Sequence, residues 1–182
     1  MTSKMNRKMR RVVCMSAALG AVLLMSVIST AQASEATTSA SVTQLGGLPG
    51  TATATAAYNG SGVGQARTHT RSGQVSFGQG VAFGVSPEGI SFSASYAVGG
   101  RFLPATASTF NLSIGRDGSV AGSNGLVVAS PAPLNSASAG GFARSQFGGS
   151  VAGATVGGRS NPFGQVIGRS NSYSNAPRRL WR

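Results

Sequence analysis

The chain has 182 residues, with 15 Lys and Arg against three Asp and Glu, one His and one Cys, for a formal net charge of +12. Acid–base catalysis, thiol chemistry and metal–thiolate binding all need side chains that this composition barely supplies. Small residues dominate instead, 27 of them glycine, so few large apolar side chains are left to fill a core.

Residues 1–33 read as an export signal. Lys4, Arg7, Lys8, Arg10 and Arg11 form a basic start, VVCMSAALGAVLLMSVIS follows as an apolar helical run, and Ala31-Gln32-Ala33 is a small-residue cleavage site before Ser34. A membrane helix needs roughly 20 apolar residues, and Ser16, Gly20 and Ser26 dilute this one, so cleavage is expected. The protein is therefore read as exported, to the medium, the cell surface or the periplasm. Cleavage removes five of the 15 basic residues and Cys14, leaving ten arginines against three acids, a charge of +7, and no disulfide.

Residues 34–57 are a Ser/Thr/Ala-rich segment whose composition predicts a largely disordered linker, because it buries too little apolar surface to offset chain entropy. Thr51, Thr53 and Thr55, like Thr68 and Thr70, resemble the Thr-x-Thr rows of ice-binding solenoids, but no regular repeat stacks them.

Residues 58–134 carry the period-two alternation of half-buried strands. Val75, Phe77, Val81, Phe83 and Val85 share one face, as do Ile90, Phe92, Ala94, Tyr96 and Val98, with Gly, Ser and Ala between. A three-residue loop at Pro87 would scatter the apolar residues over both faces. A four-residue loop, Ser86 to Gly89, pairs Val85 with Ile90, Phe83 with Phe92 and Phe77 with Val98, and a one-residue slip would turn the whole set over. That register is the one predicted. A second hairpin turns at Gly115-Arg116-Asp117-Gly118 and brings Val120 opposite Ile114. Ser123-Asn124-Gly125-Leu126 reads as a tight type I′ turn, and Pro131 and Pro133 end the regular part.

Residues 135–182 are a Gly/Ser/Arg-rich tail, in which GRSN occurs at Gly158–Asn161 and again at Gly168–Asn171. Two copies are too few for a solenoid. The expected fold is thus all-β: an antiparallel meander of about five or six strands, sandwich-like or an open sheet, between largely disordered terminal segments.

No catalytic, cofactor or metal site is predicted. Glu35, Glu88 and Asp117 are scattered, and His69 sits between Arg67 and Arg71, a setting that does not make a good base. The nine residues Val75, Phe77, Val81, Phe83, Val85, Ile90, Phe92, Tyr96 and Val98 form the candidate sheet-packing face. Arg178, Arg179, Trp181 and Arg182 form a candidate contact for polyanions or a membrane interface. The sequence favours a non-catalytic structural or surface protein acting through sheet packing, with a second copy or an anionic envelope or matrix component as partner. Specific nucleic-acid binding is not expected, since aromatics do not interleave densely with the arginines. Membrane contact is expected only in transit through the signal, unless the chain is barrel-like. The two other readings are that outer-membrane β-barrel, and a secreted β-sandwich that binds acidic glycan or envelope components through its arginines.

Overall fold

The computed structural model describes residues 34–45, 49–100, 102–132, 134–146, 149–160 and 164–175. The signal segment and the arginine-tryptophan terminus lie outside the described residues. Ten strands run in chain order: β1 (Ser34–Leu45), β2 (Thr51–Asn59), β3 (Val63–Arg71), β4 (Val75–Ser86), β5 (Gly89–Gly100), β6 (Leu103–Gly115), β7 (Val120–Ala129), β8 (Leu134–Gln146), β9 (Gly149–Ser160) and β10 (Val166–Asn175). They form two sheets, four-stranded β2-β1-β8-β9 and six-stranded β10-β7-β6-β5-β4-β3. Every pairing is antiparallel.

The all-β antiparallel class is as the sequence predicts, and β3 to β7 form the expected meander. The β4–β5 register matches residue for residue: Val85 faces Ile90, Phe83 faces Phe92, Val81 faces Ala94 and Phe77 faces Val98. The ladder continues one pair further, to Ser86 and Gly89, so Pro87 and Glu88 alone make the turn. Gly89 has a φ of 143°, and a Cβ there would collide with the Ile114 carbonyl oxygen, so glycine is required. The next hairpin also turns where expected, with Ile114 opposite Val120. Its tip is closed by Asp117, which accepts from the Ser119 amide at 3.0 Å and the Ser119 hydroxyl at 2.6 Å.

Three expectations are corrected. Residues 34–57 are not a disordered linker but contain β1 and most of β2, and most of the expected tail is β8, β9 and β10, so the described residues form ten strands where five or six are expected. Asn124-Gly125 is not a turn; β7 runs straight through it, with Asn124 paired to both Phe110 and Asn171. The common cause is that ladders and close packing of small side chains order these segments without large apolar residues. The count of bulky side chains was the wrong measure of what the chain could bury.

The two sheets stack through their Gly/Ser/Ala faces. Cα atoms of β1 and β5, and of β6 and β8, approach within 8 Å, closer than the roughly 10 Å of ordinary stacked sheets. The interior is divided. One part is an alanine-valine cluster that includes Ala40, Val42, Ala97, Ala107, Val127 and Ala139. The other is polar: Thr38 bonds Ser93 and Ser95 at 2.7 Å each, Ser34 bonds Ser91 at 3.1 Å, and Ser93 donates across the gap to the Gly141 carbonyl at 3.2 Å. Asn111, wholly buried, accepts from Ser93 at 2.5 Å and donates to Ser123 and to the Gly153 carbonyl at 3.0 Å each. Direct bonds from serine and asparagine side chains to the backbone of the facing sheet are possible only because so little stands between the sheets.

Glu88 at the β4–β5 turn has its carboxyl held below its ordinary value of 4.5, first by hydrogen bonding with Ser86, which desolvation partly opposes, and then by its own backbone amide and Ser61. A lowered native value means the carboxylate stabilises the turn above the ordinary pKa, and the benefit is lost as the pH falls through the native one. Glu88→Gln should therefore flatten the acid limb of a stability-against-pH profile measured by urea unfolding, while a profile unchanged by the substitution would assign that limb elsewhere.

Candidate interaction face

Stacking the small-residue faces turns the large apolar side chains outward. On the six-stranded sheet the outward positions follow from register. Phe83, Phe92 and Leu112 form one cross-strand row, and Val85, Ile90, Ile114 and Val120 form another. All nine residues of the predicted packing face share this side: Val75, Phe77, Val81, Phe83 and Val85 on β4, and Ile90, Phe92, Tyr96 and Val98 on β5. None of them packs against the second sheet. Val75, Phe83, Val85, Ile90, Tyr96 and Val98 are exposed, and Phe77, Val81 and Phe92 are half-buried among their neighbours on the same face.

The face extends beyond those nine. Phe110 is 48% exposed and Leu126 49%, and Tyr173 of β10 lies over Gly122 of β7. Phe92 and Phe110 meet as tilted rings, 6.2 Å between centroids. Soluble monomers rarely expose contiguous apolar patches of more than a few hundred Å², and here one spans β4, β5, β6 and β7.

Its two edges are basic. Arg67 and Arg71 on β3 pair with Val81 and Phe77, and Arg169 on β10 pairs with Leu126, so all three share the apolar side. His69 stands between the first two, its ring 6.0 Å from Phe77. Beside them is an open depression of ≈ 640 Å³ lined by His69, Arg71, Ser72, Gly73, Gln74, Val75 and Phe77. The chain's three carboxylates are elsewhere: Glu35 is on β1, and Glu88 and Asp117 are in the two turns. Sequence reasoning missed this rim. Period two places Val63, Arg67 and Arg71 on one face of a strand, but Arg169 could be placed only once β10 was known to pair with β7.

The outward face of the four-stranded sheet is different in kind. Thr53 bonds Ser41 and Thr55 bonds Ser39, both at 2.7 Å between hydroxyls, and Ser138 continues the row beyond Ser41. Pairing of β2 with β1 thus supplies the stacking that the Thr-x-Thr stretch lacks in sequence. The candidate contact at Arg178, Arg179, Trp181 and Arg182 lies outside the described residues. Among the described residues, His, Asp and Glu form no group of three that could hold a metal. No family model, no curated protein and no solved structure matches this chain.

Proposed function

We propose that the protein is a non-catalytic, exported structural or cell-surface protein whose working element is the outward face of the six-stranded sheet. The observation that carries this reading is the inversion of the sandwich: alanine, serine and glycine fill the interior while phenylalanine, leucine, isoleucine and tyrosine stand outside. Cross-strand neighbours cover these large apolar side chains only in part. The remaining area gains free energy by being covered by another surface, at roughly 25 cal/mol per Å². A second copy of the chain is one such surface. The hydroxyl-bearing outer face of the four-stranded sheet weighs against the barrel alternative, in which apolar residues would face lipid all round.

The test is to separate stability from association. Phe83→Thr with Leu126→Thr keeps residues that suit a strand, removes two exposed apolar groups and should cost at most about 1 kcal/mol of stability. The same pair should strongly reduce binding of a hydrophobic dye and concentration-dependent association, followed by fluorescence and light scattering. A wild-type protein that stays monodisperse, binds no dye and adheres to nothing would sink the reading.

A further inference from the structure

We propose that this face docks on a lipid surface rich in anionic headgroups, with the apolar centre set into the boundary of the acyl region and the arginine edges on phosphate. The proposal rests on the reading above, that the outward face of the six-stranded sheet is the working surface, and names what covers it. Phe83, Phe110 and Leu126, on β4, β6 and β7 and 42–49% exposed, would suit any apolar partner. The charge makes the selection. Arg67 and Arg71 mark one edge and Arg169 the other, and among the described residues no Asp or Glu occupies a strand position of this sheet: Glu35 is on β1, and Glu88 and Asp117 are in turns. Two copies laid face to face with strands aligned would bring arginine edge against arginine edge whichever way they were turned, because β3 and β10 are both basic. Like charges across a drying interface oppose association. A bilayer surface with anionic lipid answers both chemistries at once.

The geometry of the edges agrees. Guanidinium groups on flexible stems at the border of an apolar field can rise to headgroup level while the stems stay on apolar surface. Tyr173, on the edge strand β10 and 57% exposed, has the amphipathic character favoured at that level. The depression formed by His69, Arg71, Val75 and Phe77 places a basic wall beside an apolar one, the arrangement an anionic headgroup with its chains requires.

The experiment takes the exported protein, its N-terminus confirmed by sequencing, and measures co-sedimentation with vesicles of phosphatidylcholine alone and with phosphatidylglycerol added. Wild type should bind the anionic vesicles and lose affinity as salt rises. The triple variant Arg67→Gln, Arg71→Gln, Arg169→Gln should lose about a hundredfold in affinity for anionic vesicles and little for neutral ones. Phe83→Thr with Leu126→Thr should weaken binding to both, and circular dichroism should show all variants folded. Binding that is equal on the two vesicle types and indifferent to the arginines overturns the proposal. If the protein ignores vesicles but self-associates through Phe83 and Leu126, the lipid proposal fails while the reading of the face stands. Indifference to vesicles together with no association sinks both.

Discussion

Gly80→Val is expected to destabilise the sandwich by about 3 kcal/mol or more, against the direction that strand propensity alone would give. Gly80 lies on the inner side of β4, opposite Ser95 of β5. A Cβ there would strike the Thr55 carbonyl oxygen of β2 and come within 3.1 Å of the Ser39 carbonyl oxygen of β1. Backbone atoms of paired strands cannot swing aside as a side chain can, so the sheets would have to separate locally and stretch the hydroxyl bonds nearby. Gly80→Ala should already destabilise, and Val more. For a chain of this size each kcal/mol moves the melting temperature by about 2–4 °C, so Val should lower it by roughly 6–12 °C or more. A melting temperature that rises with the larger side chain would show that the sheets are not in close contact here.

Asn111→Asp should cost about 3–5 kcal/mol at neutral pH, although the two side chains are nearly the same shape. The Asn111 amide nitrogen donates to Ser123 and to the Gly153 carbonyl across the gap, at 3.0 Å each. A carboxylate oxygen in its place would face the Gly153 carbonyl, acceptor against acceptor, as an unpaired charge in a fully buried position. Burial would raise the carboxyl pKa of the folded form above its unfolded value. The sign follows: the charge penalty is absent below the unfolded pKa and grows as the pH rises from there to the folded one. Urea unfolding of the variant should therefore show a loss relative to wild type that shrinks in acid, because a protonated carboxyl can donate to Gly153. A loss that does not vary with pH would mean that shape, not charge, is what the site enforces.

The sheet-level reading was legible wherever alternation met a turn. Pro87-Glu88 and Arg116-Asp117 fixed two hairpins, and the apolar sets on either side left only one register that kept each set together. Asn124-Gly125 misled because the same dipeptide that favours a tight turn also serves inside a strand. A Cβ at Gly125 would lie 2.5 Å from Val156 of β9, so the glycine makes room for the facing sheet rather than reversing the chain. The flanking segments misled for a related reason. β1 has Ser34, Ala36, Thr38, Ala40 and Gln44 on its inner side with just one valine, Val42, so nothing in its own composition announces a strand. Its order comes from pairing with β8, whose residues lie about a hundred positions away, and such non-local pairing has no local signature.

Of the candidate face, the sequence determined the membership: Val75 through Val98 had to lie on one side, and the small residues between them on the other, because side chains alternate along a strand. Period two says nothing about which side finds a partner. The tertiary structure decided that, and it chose the glycine-serine-alanine side, since the second sheet presents equally small side chains and the two can approach until hydroxyls bridge them. The large apolar side chains were thereby left outward, and pairing of β3 and β10 onto the sheet's two edges set arginines beside them. An apolar field with a basic rim is a property of that assembly, and no single stretch of the chain contains it.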